Sequence, residues 1–233
     1  MQTATYIERR SQLETYFDRT AVEAWARLTT DAPVSRIRAT VRAGRDRMRD
    51  TLLSWLPQDM RGARLLDAGC GTGALSIEAA KRGAFVTAID VAPTLIRLAQ
   101  ERTPADLGAG RVEFRSGDML DPALGTFDFV VAMDSLIHYR ASDCVNAVAS
   151  LSSRTGGSIL FTFAPRTPAL AAMHAVGRLF PRKERAPAIE PVRQDDLLKR
   201  LASEPAFHGW SVTHTERIVN GFYTSQAVEI RKQ

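Results

Sequence analysis

With 233 residues, 45% of them hydrophobic and 24% charged, the chain is sized for one α/β domain with an appendage and needs no disulfide staples. Its two cysteines, Cys70 and Cys144, stand far apart without a C-x-x-C or Cys/His cluster, which argues against a disulfide scaffold and a structural zinc site. The net charge of +5 suits an acidic partner (nucleic acid, anionic lipid or a carboxylate-bearing substrate), or equally a solvated surface.

In chain order, residues 4–31 predict a helix, with apolar positions at Leu13, Tyr16, Phe17, Val22, Trp25 and Leu28. A second, arginine-rich helix is expected from Ile37 to Leu56 and stops at Pro57. The first strand, Ala63–Ala68, runs directly into glycines. Then come a helix at Ala74–Arg82, a strand at Phe85–Ile89 ending on Asp90, and a helix at Pro93–Arg102. Strands at Val112–Arg115 and Phe127–Ala132, a helix near Asp143–Ser153 and a strand at Ser158–Phe163 complete an alternating series. Such alternation predicts a parallel sheet covered on both faces. Residues 166–190 read as a basic, Ala-rich lid insertion, followed by a helix at Gln194–Ala202 and strands at Trp210–Val219 and Phe222–Lys232. Asn220-Gly221 between the last two strands predicts a hairpin, because both residues tolerate positive φ. The expected architecture is Rossmann-like α/β: mostly parallel, closed by an antiparallel hairpin, with a helical cap over 1–57 and the main domain over 58–233.

No apolar run reaches the ~18 residues of a membrane span. The N-terminus lacks an apolar signal core, so a cytoplasmic location is expected.

The most informative stretch is Asp67-Ala-Gly69-Cys-Gly71-Thr-Gly73-Ala74. Glycines at alternate positions after a buried strand let backbone approach a ligand at the carboxyl end of the sheet. Asp90-Val91 ends the second strand, where a carboxylate can accept both hydroxyls of a ribose. Taken alone, Gly69-x-Gly71-x-x-Ala74 with an acid some twenty residues on also fits a dinucleotide fingerprint. Three acids separate the readings. Asp67 precedes the glycines, where a pyrophosphate is disfavoured and a cationic ligand favoured. Asp118-Met119 can meet an adenine, carboxylate to exocyclic amine and backbone amide to ring nitrogen. Met133-Asp134 ends the fourth strand and adds another acid. That ring suits S-adenosylmethionine (SAM), with its sulfonium and ammonium, better than NAD.

Together, Asp67–Gly73, Asp90, Gly117-Asp118-Met119 and the hairpin resemble the class I SAM-dependent methyltransferases over about residues 60–165 plus the C-terminal strands. A narrower resemblance spans nearly the whole chain. Tyr16-Phe17-Asp18-Arg19-Thr20, Trp25-Ala-Arg27-Leu28, Arg42-Ala-Gly44-Arg45, Leu136-Ile137-His138-Tyr139, Phe163-Ala164-Pro165, Leu179-Phe180-Pro181 and Phe222-Tyr223-Thr224-Ser225 look like the magnesium-protoporphyrin IX O-methyltransferases of bacteriochlorophyll and chlorophyll synthesis. The chain departs from that pattern at Thr29, where relatives carry a tyrosine.

The resemblance implies methyl transfer from SAM to a propionate oxygen of the porphyrin. A carboxylate is already ionised at neutral pH, so alignment and exclusion of water carry the catalysis. The magnesium arrives with the porphyrin, and no protein metal site is expected. His138, just past the fourth strand, is the candidate to orient the propionate or take a proton, against a packing role. Arg42 and Arg45 are candidates for the cofactor carboxylate or a propionate, against a solvated helix face, with Arg42 the one preferred for the cofactor. Tyr16, Tyr139 and Arg182 are candidates for the substrate side. The lid's Arg178, Arg182, Lys183 and Arg185 suit propionates or anionic lipid, so peripheral membrane contact is one expected interaction. A magnesium chelatase subunit is the expected protein partner, as the donor of substrate. The rival classes are an RNA or other small-molecule methyltransferase and a non-catalytic porphyrin-binding scaffold. Ala132–Tyr139 lacks the Asn-Pro-Pro-aromatic run used on exocyclic amines, which argues against nucleic acid.

Overall fold

The computed structural model describes residues 2–20, 35–166 and 189–233. Seven strands form one mixed sheet in the order β3-β2-β1-β4-β5-β7-β6. The strands are β1 (Arg64–Ala68), β2 (Phe85–Asp90), β3 (Arg111–Ser116), β4 (Phe127–Ala132), β5 (Thr155–Phe163), β6 (Trp210–Asn220) and β7 (Tyr223–Lys232). Five run parallel, and β7 joins β5 antiparallel with β6 outside it. The expected architecture is therefore the observed one. The helices are α1 (Ala4–Thr15), α2 (Arg36–Trp55), α3 (Ala74–Lys81), α4 (Pro93–Arg102), α5 (Ala141–Ser152) and α6 (Gln194–Ser203).

Successive strand residues point to opposite faces, so consecutive apolar pairs feed two cores. Leu66, Val130, Ile159, Phe161 and Val228 pack with α1, α5 and α6 on one face. Leu65, Val131, Leu160 and Ala227 pack with Met48, Leu52 and Leu53 of α2 and Leu75 of α3 on the other. The two N-terminal helices thus lie on opposite faces, and α2 belongs to the core layer over the β6–β7 hairpin.

Three sequence expectations shift. Of the helix expected over 4–31, the described part is α-helical over Ala4–Thr15 and widens into a π-helical turn over Tyr16–Thr20. That turn carries Asp18 to the start of α4, where its carboxylate accepts from Thr94 N (3.0 Å) and Thr94 Oγ1 (2.7 Å). Wider turns of this kind are common beside functional sites. Residues 21–34, with Trp25 and Thr29, lie outside the described residues, as do 167–188 with Arg182 and most of the expected lid. Strand β5 begins at Thr155, not Ser158, because Thr155 pairs with Phe127 across the sheet, and tertiary pairing outweighs the poor strand propensity of Gly156-Gly157. In the hairpin, Asn220 pairs with Tyr223, so the two-residue loop is Gly221-Phe222. Only Gly221 takes positive φ (57°), as a turn with glycine at its first central position requires.

Candidate functional site

The sheet order reverses at β1, between β2 and β4. Crevices of this kind, outside the carboxyl ends of the strands, are where open α/β sheets take their ligands. Every acid singled out from the sequence lies on that edge. The loop after β1 is bound to β2 by Gly69 N and Cys70 N, both donating to Ile89 O (2.8 and 3.0 Å). Gly69 has φ of 88°, and a Cβ there would sit 2.3 Å from Ser135 Cβ in the turn after β4. Glycine is therefore needed for the close approach of two protein segments, and not for a ligand alone. Gly71 and Gly73 also take positive φ (55° and 79°), and Gly73 opens α3.

The Asp90 carboxylate spans the crevice floor, accepting from Gly71 N (2.9 Å) and from Ala92 N (3.0 Å). Burial raises its affinity for a proton, against the lowering effect of those backbone donors. Val91 beside it is partly buried against the α1-side core. Asp67 is 1% exposed and accepts from Ser76 Oγ at 2.6 Å. Burial pushes its carboxyl up to about 7, the Ser76 bond opposes this, and the nearby Asp90 charge adds to it. An ammonium or sulfonium nearby would offset that cost. This acid-lined, glycine-floored crevice fits a cationic nucleoside ligand.

Asp118 is met by α1, a contact the sequence did not indicate. Its Oδ1 accepts from Tyr6 Oη (2.8 Å) and Leu120 N (2.9 Å), and its Oδ2 from Gln2 Nε2 (2.8 Å) and the Arg10 guanidinium. Met119 is buried beside it, its carbonyl accepting from Arg154. Asp134 has φ of 54° and is enclosed by the protein: Arg45 Nη1 (2.7 Å), Tyr223 Oη (3.0 Å), Ser225 Oγ (3.1 Å) and Thr162 Oγ1 (3.1 Å) all donate to its carboxylate. Met133 packs partly buried on the α2-side core. Of the arginines on α2, Arg45 engages the post-β4 acid, and Arg42 lies partly buried one turn earlier.

His138 ends a short 3₁₀ turn, Leu136–His138, is 8% exposed, and meets the Phe17 ring edge-on at 6.0 Å. Tyr16 is partly exposed and lies edge-on to Phe17 at 5.2 Å. Tyr139 is 3% exposed and stacks on Tyr6 at 4.9 Å, so its ring faces α1 and fills core there. Tyr6, Arg10, Asp18 and Tyr223 are the site neighbours that sequence reasoning missed. Each meets its partner more than 70 positions away, and no local spacing signals such a contact.

Known proteins resemble this chain in family and in fold. Residues 132–232 match the family model "Magnesium-protoporphyrin IX methyltransferase C-terminus", and residues 65–155 match "Methyltransferase domain". The magnesium-protoporphyrin O-methyltransferase of Rhodobacter capsulatus is 50% identical over 227 residues, covering 97% of this chain and 98% of that protein. A ubiquinone biosynthesis O-methyltransferase of Xanthomonas oryzae shares 37% over 132 residues, but this covers only 53% of this chain. Among solved structures, magnesium protoporphyrin IX methyltransferase from Synechocystis PCC 6803 with bound SAH superposes with a TM-score of 0.83 at 27% identity, covering 96% of this chain and 99% of that one. Half of all aligned positions are shared along nearly the whole of both chains, and the family expected from the sequence motifs is the one found: this chain belongs to the magnesium-protoporphyrin O-methyltransferases.

Proposed function

We propose that the protein transfers a methyl group from SAM to a propionate carboxylate of magnesium-protoporphyrin IX, yielding the monomethyl ester and S-adenosylhomocysteine (SAH) in bacteriochlorophyll biosynthesis. The observation that carries this reading is the full-length identity to the Rhodobacter capsulatus enzyme. Similarity to the ubiquinone biosynthesis O-methyltransferase covers only 53% of this chain, whereas similarity to the porphyrin enzyme runs over 97% of it.

Bound SAM supplies an electrophilic methyl on sulfur. Gly69, Gly71 and Gly73 form the floor beneath it. Asp90 accepts from the ribose hydroxyls while Gly71 and Ala92 hold its carboxylate in place. Asp67 balances the cofactor's positive charge, Asp118 accepts from the adenine amine, and the Met119 amide meets a ring nitrogen. Val91 and Met133 line the base and methionine ends. Asp134 acts by fixing the turn between Met133 and His138. The propionate is ionised at neutral pH and needs no strong base. His138 therefore orients it, at the end of a turn that the Asp134 cluster and Gly69–Ser135 packing hold rigid, and alignment supplies most of the rate. Arg42 and Arg182 offer charge to the cofactor carboxylate and a propionate, and Tyr16 completes the acceptor side, while Tyr139 stays in the core against Tyr6. The magnesium belongs to the substrate.

A magnesium chelatase subunit is the proposed donor of porphyrin. The arginine-rich 166–190 segment is the proposed contact with anionic lipid at the membrane surface, supported by its composition. No helix among the described residues is long and apolar enough to cross a membrane.

Mass spectrometry after incubation with SAM and candidate tetrapyrroles tests the reaction. A methyl ester of magnesium-protoporphyrin IX is expected. Methyl entering RNA and not porphyrin, or binding of both ligands without transfer, would overturn it.

A further inference from the structure

We infer that the N-terminal helix sets the base preference of the cofactor site: Tyr6 and Arg10 of α1 are positioning residues that aim the Asp118 carboxylate at the exocyclic amine of adenine. This rests on the assignment of Asp118 to adenine proposed above.

A carboxylate offers about four lone-pair positions, two on each oxygen. On Asp118 all four are occupied: Tyr6 Oη and Leu120 N on Oδ1, Arg10 and Gln2 on Oδ2. A base amine can be accepted only where a present donor leaves, and the four donors are not equally held. Tyr6 is 2% exposed, and its ring is clamped by stacking on Tyr139 at 4.9 Å with planes 20° apart. The start of α1 is tied to α5 by Thr3 and Thr5, whose hydroxyls donate to Asp143 at 2.6 and 2.8 Å. Arg10 brings a full charge, and charge-assisted bonds are roughly twice as strong as neutral ones. The Leu120 amide is fixed by the backbone. Gln2 is neutral, exposed and ahead of the first helical turn. It is the donor that yields.

Gln2 also presents to Oδ2 the same chemistry as adenine, a planar –NH2. When it leaves, three donors still hold the carboxylate, and the freed lone pair faces whatever replaces it. A fixed acceptor there takes the 6-amino group of adenine and repels the 6-oxo group of hypoxanthine. Without Tyr6 and Arg10 the carboxylate rotates about its χ angles, and a 6-oxo base meets less resistance.

Calorimetric titration of the full-length protein with SAH and with S-inosylhomocysteine tests this. The wild type should favour SAH by on the order of 10–100-fold, the range for a hydrogen bond to a charged group. Asp118→Asn should erase most of that ratio, since its carboxamide can turn its –NH2 towards a 6-oxo group. Tyr6→Phe keeps the ring stack, so the helix stays docked, and should cut the ratio roughly 3–10-fold. Arg10→Gln should do the same, Arg10→Lys should restore part of the loss, and Gln2→Ala should leave the ratio unchanged. If Asp118→Asn leaves the ratio intact, the assignment of Asp118 to adenine fails. If Asp118→Asn erases it while Tyr6→Phe and Arg10→Gln keep the wild-type ratio, or lose affinity for both ligands equally, the positioning role is overturned.

Discussion

Arg45 donates to Asp134 at 2.7 Å, joining α2 to the one non-glycine residue that takes positive φ among the described residues. Left-handed backbone at a residue with a Cβ costs on the order of 1–3 kcal/mol and persists only where the surroundings fix it. Here β5 and β7 supply the rest of the clamp through Thr162, Tyr223 and Ser225. The Asp134 side chain is 4% exposed, so these protein donors supply its hydrogen bonds. Arg45→Ala should therefore destabilise the fold by about 3 kcal/mol, the lower end for breaking a buried pair, because the arginine itself keeps some solvent. Urea denaturation measures it. A loss below about 1 kcal/mol, the value of an exposed pair, would show that the hydroxyl donors suffice.

Gly44 makes that clamp reachable. A Cβ at this position would lie 2.5 Å from Tyr223 Cδ1, so only glycine lets the ring pass across α2 to Asp134. Gly44→Ala should gain about 1 kcal/mol of helix propensity. It should lose roughly 1–3 kcal/mol by overpacking, giving net destabilisation. Placing Gly44→Ala in a Tyr223→Leu background should shrink the packing loss, since the two positions share one contact. Equal thermal shifts in both backgrounds would place the cost elsewhere.

Asp67 should couple cofactor binding to pH. Its carboxyl sits near 7 because burial opposes the charge, so at neutral pH it is partly protonated. A folded-state value raised above the unfolded one means a contribution to stability that is complete in acid and lost as pH rises through about 7. A cationic ligand favours the ionised form and should expel the proton. SAH, through its ammonium, should then bind more tightly as pH rises towards 7 and release a fraction of a proton below it. Calorimetry in buffers of different ionisation enthalpy counts that proton. The same count in Asp67→Asn would assign it to another group.

His138 should affect turnover more than binding. Proton transfer by a placed side chain is worth ~10²–10⁴-fold, and an ionised nucleophile needs less of it. We expect His138→Ala to lower kcat on the order of 10–10²-fold with SAH affinity unchanged, as the loss falls on alignment in the transition state. His138→Phe keeps a ring against Phe17. Wild-type turnover in that variant would make His138 a packing residue.

The alternation of apolar strands and helices, with glycines after β1 and acids ending β2 and β4, was legible along the chain because each signal is local. Period-2 and period-3.6 patterns and turn chemistry are set by neighbours a few residues apart. Family membership was legible for the same reason, through short motifs at Gly69–Gly73, Asp118-Met119 and Leu136–Tyr139. The hairpin was legible too, though its turn fell one residue later, on Gly221-Phe222, once pairing of Asn220 with Tyr223 fixed the register. What each acid does was not local. Asp67, Asp90, Asp118 and Asp134 look alike in sequence, and only packing gave them different surroundings. Asp67 faces Ser76 in a dry interior, and Asp90 braces two loops by their amides. Asp118 receives α1 from 112 positions away, and Asp134 receives Arg45 from 89. A carboxylate's ionisation and aim depend on which donors and how much water surround it. Tertiary structure sets both, so it alone distinguishes an acid that meets a ligand from one that holds a turn.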